Sequence, residues 1–167
     1  SSVKTLSDVK QYGIKTYFCS NVCAAYKRVA YQDVGGFVNR AIFNEDMICA
    51  GNMVKQGYSI AYAADARVYH SHNYSCVQQF HRNFDLGVSQ AEHPEIFADV
   101  SSEGEGLRLV KRSMAYLAKT GHVWLIPQLI LQSGAKYAGY FLGKRYHKLP
   151  KKIVLACTMN PYYWKKG

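Results

Sequence analysis

The acidic residues of this chain stop at Glu105. Residues 1–105 carry nine Lys/Arg against eleven Asp/Glu, whereas residues 106–167 carry twelve Lys/Arg and no acid at all. A segment charged with one sign cannot pair its charges internally. The last third must therefore turn a basic face to water or to something anionic, while the first part can neutralise its charges against itself. The formal charge of +10 belongs to the C-terminal third, and a boundary is expected near residue 104. At 167 residues, 49% hydrophobic and 14% aromatic, the chain packs a core rather than staying disordered, and it fits one domain or most of one.

Five cysteines, odd in number and scattered, favour reduced thiols in a cytosolic setting over a disulfide framework. Ser1-Ser2 with no charged-then-apolar signal after it reads as a piece of a longer protein.

Thr16-Tyr17-Phe18-Cys19 is a short β-prone run, Lys27–Asp33 can make two helical turns, and Gly35-Gly36-Phe37 is a turn. Asn44 is placed to cap a helix that opens with Glu45-Asp46, buries Met47, Ala50, Met53 and Val54, runs to Gln56 and stops at Gly57. Ser59–Ala63 and Arg67–His70 are strand-like. A second helix spans Ser75 to about Gln90, and Ser101–Gly106 is a loop.

Beyond Leu107, Leu107, Leu109, Val110, Met114 and Leu117 make an apolar helical face ringed by Arg108, Lys111, Arg112 and Lys119. The most apolar run, Val123–Leu131, is far short of the roughly 20 residues needed to span a bilayer. A basic run, Lys144–Lys152, follows the aromatic Tyr137–Phe141, and Tyr162-Tyr163-Trp164 then precede Lys165-Lys166.

Glu45 and Asp46 carry the chemistry. Two carboxylates in a first helical turn can simply complement the helix dipole, worth a few tenths to about 1 kcal/mol. They can also supply a general base that takes a proton from a hydroxyl. His70 and His72 would alternate across a strand and face opposite ways, so they would not share a metal. Cys19-x-x-x-Cys23 lacks the second Cys/His pair of a zinc site, and no Gly-rich phosphate loop is present.

Taken together, Ser20-Asn21, Ala25-Tyr26-Lys27-Arg28, Val34-Gly35-Gly36-Phe37, Asn44-Glu45-Asp46, Gly57-Tyr58 and Ala66–His72 resemble, in order and spacing, the acceptor half of family 2 glycosyltransferases. These are inverting enzymes of GT-A fold. The likeness is greatest to bacterial rhamnosyltransferase-like members, which continue into a segment such as Gln78–Gly87.

The resemblance implies an α/β fold: residues 1–103 as the acceptor-side part of a GT-A domain, then a basic helical extension over 104–167. It implies Asp46 as catalytic base with Glu45 supporting it. Ser20, Asn21, His70, Gln79 and Arg82 would sit at substrate or diphosphate, His70 also near a divalent cation (Mg²⁺ or Mn²⁺). Gln79–Arg82 looks like a Gln-x-x-Arg motif, but Asn83 stands where a Trp would follow, which speaks against a polymer-threading role.

The chain has no Asp-x-Asp, so the nucleotide-binding half would lie upstream and this piece alone would be inactive. The expected partners are a nucleotide sugar, a glycan or lipid-linked acceptor and an anionic membrane surface, with nucleic acid ranked below these. That places the protein in the cytoplasm, at the inner face of the plasma membrane. The reading from a different class is a non-catalytic membrane-surface or nucleic-acid-binding module.

Overall fold

The computed structural model describes residues 1–100 and 103–165. The helices in chain order are α1 (Val9–Tyr12), α2 (Arg28–Asp33), α3 (Glu45–Lys55), α4 (Cys76–Glu92), α5 (Pro94–Phe97), α6 (Glu103–Lys119), α7 (Ile126–Gly143) and α8 (Lys151–Cys157). Strands β1 (Ser2–Lys4) and β2 (Ile60–Tyr62) pair antiparallel with Val3 opposite Ala61, and theirs is the only sheet among the described residues. The α/β expectation is thus met only in part, in a chain that is mostly helical.

Packing divides the chain into two compact units, Ser1–His72 with His93–Val100, and Asn73–Glu92 with the residues after 100. This division differs from a single boundary between 103 and 104, because α4 packs with α7.

In the first unit α3 is the central helix. Ile48 and Val54 are fully buried and join Ile14, Tyr17, Ile96, Phe97 and Val100 in one apolar cluster. Cys49 and Met53 face a second cluster made by Ala30 with Tyr26, Tyr31, Phe37 and Tyr58. A helix with apolar contacts on two sides reads as buried nearly all round, and Gly51 lets Ile96 approach closely.

The helix ends as expected: Tyr58 N–H donates to Met53 O at 3.0 Å and Gly57 N–H to Val54 O at 3.1 Å, with Gly57 at φ 92°. This pair of bonds satisfies carbonyls the helix leaves open, and the left-handed residue it requires favours glycine.

Two expected strands are absent. Thr16 and Tyr17 are both buried, which the face-to-face alternation of a half-buried strand does not permit, and they lie in a 3₁₀ turn over Gly13–Tyr17. Arg67–His72 is irregular and exposed; a strand needs a ladder partner, and the described residues supply none to this segment.

In the second unit, Ser75 and Gln78 open α4 with reciprocal bonds. Ser75 N–H donates to Gln78 Oε1 at 2.9 Å and Gln78 N–H to Ser75 Oγ at 3.2 Å, a capping box. α4 then packs on α7 at backbone distance. A Cβ at Gly139 or Gly143 would overlap the Phe80 or Phe84 carbonyl, and one at Gly87 the Tyr140 carbonyl.

The polar side of α4 holds the C-terminal residues. Asp85 accepts from Thr158 Oγ1 at 2.5 Å and from Met159 N–H at 3.0 Å, His81 Nδ1 lies 2.7 Å from Cys157 O, and Glu92 accepts from the Tyr146 and Tyr163 hydroxyls. The loop expected over 101–106 is helical from Glu103, while Ser101 and Ser102 lie outside the described residues, as does Lys166. The expected apolar face of α6 is partial, since Val110, Met114 and Leu117 are half-buried but Leu107 and Leu109 are exposed. Among the described residues no helix is long and apolar enough to cross a membrane.

Candidate active site

Asn44 occupies the N-cap position of α3, as expected, but by a different mechanism. Its backbone is left-handed at φ 62° and its side chain makes no capping bond. The side chain is buried, and its Nδ2 has no partner. The strained turn delivers Glu45 and Asp46 into the first turn of the helix, Glu45 exposed and Asp46 half-buried.

The two carboxylates meet a turn from far upstream. Ser20 O accepts from Cys23 N–H at 3.1 Å and Ser20 Oγ from Val22 N–H at 3.4 Å, so Ser20 shapes a turn whose tip is Asn21. Asn21 N–H donates to Asp46 Oδ2 at 3.1 Å, and Asn21 Nδ2 donates to Glu45 Oε1 at 3.3 Å. Asp46 Oδ1 accepts from Met47 N–H at 2.8 Å. The base candidate is thus oriented by two backbone N–H groups, each leaving a carboxylate lone pair open to a further donor.

Behind Asn21 stands Tyr26, whose hydroxyl donates to Asn21 Oδ1 at 2.8 Å and lies 3.4 Å from Cys19 Sγ. Burial first, with the Cys19 contact and nearby Asp46 and Cys49 adding to it, holds the Tyr26 phenol above its ordinary value, so it stays protonated at neutral pH.

The Tyr26 ring packs edge-on against Phe37 (5.5 Å between centroids) and Tyr31 (6.0 Å). Gly36, at φ 73°, places Phe37 there, and a Cβ at Gly36 would strike the Tyr31 ring at 2.7 Å. Tyr26 and Cys19 were not singled out as site residues from the sequence. The sequence marks Tyr26 only within the Ala25–Arg28 motif and Cys19 only in the Cys19-x-x-x-Cys23 spacing, and neither pattern points to a hydrogen bond with Asn21.

Of the residues implied by resemblance, Ser20, Asn21, Glu45 and Asp46 come together. His70 does not alternate with His72 across a strand. Both rings are exposed and lie edge-to-face, 4.3 Å apart, so the expectation of opposite faces fails with the strand that required it. Gln79 and Arg82 belong to the second unit, on α4. Arg82 lies over the Tyr74 ring at 5.5 Å, and the Gln79 carbonyl accepts from Asn83 Nδ2 at 2.7 Å. Among the described residues no group of three or more His, Cys, Asp or Glu is placed to hold a metal ion.

Comparison with known proteins bears on this arrangement. Over 163 residues the chain is 44% identical to the O-antigen chain rhamnosyltransferase WbaN of Salmonella anatum, covering 97% of this chain and 51% of that protein. Both relatives in the comparison are rhamnosyltransferases. The second, the O-antigen chain rhamnosyltransferase RfbN of Salmonella typhimurium, is 42% identical over 165 residues, covering 98% of this chain and 52% of its own.

The chain therefore spans about half the length of the curated relatives it matches, and the similarity runs through both compact units. No family model and no solved structure matches it. The resemblance to bacterial rhamnosyltransferase-like proteins is supported by both names.

Proposed function

We propose that this chain is the acceptor-side part of an inverting, family 2 glycosyltransferase of GT-A fold. Its whole protein would transfer rhamnose from a nucleotide-sugar donor to a hydroxyl of a growing O-antigen chain. The observation that carries the reading is the cluster of Asn21, Glu45 and Asp46, tied across 24 and 25 residues of sequence at the start of a rigid helix, in a chain similar along its length to two rhamnosyltransferases.

In this reading Asp46 takes the proton of the acceptor hydroxyl. The hydroxyl oxygen attacks the anomeric carbon as the bond from that carbon to the diphosphate oxygen breaks, its proton passing to Asp46 in the same displacement, which inverts the centre. A carboxylate is a weak base, so the proton moves late, when an oxocarbenium-like carbon already draws on the oxygen. Glu45 orients the acceptor beside it.

Arg82 and Gln79 stay in the proposal as diphosphate contacts, and Ser20 through the turn it shapes. A divalent cation would offset the diphosphate charge. The described residues do not by themselves form its site; His70 would contribute one ligand, and the rest would come from outside this chain.

The protein is further proposed to work in the cytoplasm, at the inner face of the plasma membrane, on a glycan or lipid-linked acceptor. Support comes from the second unit, where exposed Trp124, Tyr116, Leu109, Leu131 and Tyr137 stand among basic residues, with Arg145 lying 3.7 Å over the Phe141 ring.

The test is nucleoside-diphosphate release by the full-length protein with a panel of nucleotide sugars and Mg²⁺ or Mn²⁺. Release with a rhamnose donor supports the reading, and release with no donor contradicts it. Co-sedimentation with phosphatidylglycerol vesicles, set against binding to random DNA at the same salt, checks the surface; preference for DNA overturns that part.

A further inference from the structure

Asn21 is exposed, so packing does not fix its side chain; its hydrogen bonds do. A primary amide has an acceptor end and a donor end, and here both ends are specified. The Tyr26 hydroxyl donates to Oδ1, and Nδ2 donates to Glu45. A flipped amide would set its oxygen against the Glu45 carboxylate, two acceptors facing each other. With the Tyr26 proton committed to Asn21, the Cys19 thiol is left as donor to the phenol oxygen, so the bonds run one way from Cys19 through Tyr26 and Asn21 to Glu45. Tyr26 itself is held by the ring contacts with Tyr31 and Phe37. Consecutive helix positions point about 100° apart, so Glu45 and Asp46 need an outside bridge to hold one mutual orientation.

We infer that Tyr26 and Asn21 form a positioning pair: Tyr26 fixes the Asn21 amide, and Asn21 bridges Glu45 and Asp46 so that the base meets the acceptor hydroxyl in one geometry. This rests on the proposed glycosyl transfer. It gives the separated motifs one physical connection, because the Gly35-Gly36 turn, the aromatic cluster, the Ser20 turn and the carboxylates become successive links from core to reacting atom.

Tyr26→Phe isolates the pair, since it keeps the ring packing and removes only the hydroxyl. In the full-length protein it lowers kcat roughly 3- to 10-fold, the range of one ordinary hydrogen bond, with donor KM and melting temperature unchanged. Asn21→Ala lowers kcat further. The double variant is no slower than Asn21→Ala alone, because Tyr26 acts through Asn21.

A readout independent of turnover is the Asn21 side-chain amide in the NMR spectrum of the same protein, which shifts on both Tyr26→Phe and Glu45→Gln. Additive losses in the double variant, a fall in kcat matched by a fall in melting temperature, or an unmoved Asn21 amide each overturn the inference. Absence of donor cleavage by the wild-type protein instead overturns the proposed function and removes the pair's catalytic role, while the NMR reading still reports whether the bridge exists.

Discussion

Asp46 and Asp85 are the same residue type used in opposite ways. Asp46 sits half-buried at the start of α3, held by two backbone N–H groups beside an exposed Glu45. Asp85 sits on α4, 1% exposed, accepting from Thr158, Met159 N–H and the Asn160 amide. Every donor around Asp85 belongs to the protein, so its carboxylate is consumed in holding the C-terminal residues. Asp46 keeps accessible lone pairs. A carboxylate with its donors built in is structural, and one that is oriented but left open is available for chemistry.

The comparison breaks most easily at Asp85. Asp85→Ala leaves the Thr158 hydroxyl buried without an acceptor and releases the segment after α8, at a cost of about 3 kcal/mol, read as a loss of chemical-denaturation midpoint. A smaller loss would mean the C-terminal residues are held mainly by the Glu92 and His81 contacts.

Next is Gly143→Ala, which adds a methyl where the Phe84 carbonyl already stands. It should cost about 2 kcal/mol, because backbone rather than a flexible side chain must move. The same substitution at Gly134, which has open space around it, should be neutral or slightly stabilising.

At Asn44, Gly and Ala separate backbone from side chain. Asn44→Ala should lose about 1 kcal/mol at a left-handed position, and Asn44→Gly should be close to neutral. If both fall equally, the buried amide and not the backbone is what the site needs.

The smallest effect is a pH slope. Burial pushes the Asp85 carboxyl above its ordinary value, with its hydrogen bonds opposing. The folded state thus holds its proton more tightly than the unfolded state. The associated stability is present below the unfolded pKa and is lost as pH rises through the folded pKa. Asp85→Asn should flatten stability against pH in that window, and an unchanged slope would assign the pH dependence to other groups.

Local signals survived into the structure where they did not depend on distant partners. The α3 helix starts one residue after Asn44 and ends at the Gly57 turn, the Gly35-Gly36 turn forms, and α4 appears where its pattern placed it. Its Ser75-x-x-Gln78 spacing is itself a capping-box signal in the sequence. Strand propensity at Thr16–Cys19 and Arg67–His70 misled, because a β-prone run becomes a strand only beside a partner. The left-handed Asn44 carries no local mark that separates it from an ordinary cap.

The links that build the two aspartate environments were illegible for a different reason. Asp85 meets Thr158 across 73 residues, and Asp46 meets Asn21 across 25; neither pairing has a period or spacing that sequence reading can detect. The resemblance placed Asn21 and Asp46 in one site, but only geometry shows that they touch, and that Tyr26 stands behind them.

The most direct test pairs the two aspartates in the full-length protein, measuring nucleoside-diphosphate release and melting temperature for Asp46→Asn beside Asp85→Asn. Asp46→Asn is expected to lose on the order of 100-fold or more in turnover at an unchanged melting temperature, while Asp85→Asn lowers the melting temperature and keeps near-normal turnover below it. Near-wild-type release by Asp46→Asn would contradict the account and reduce that carboxylate to a helix-dipole partner.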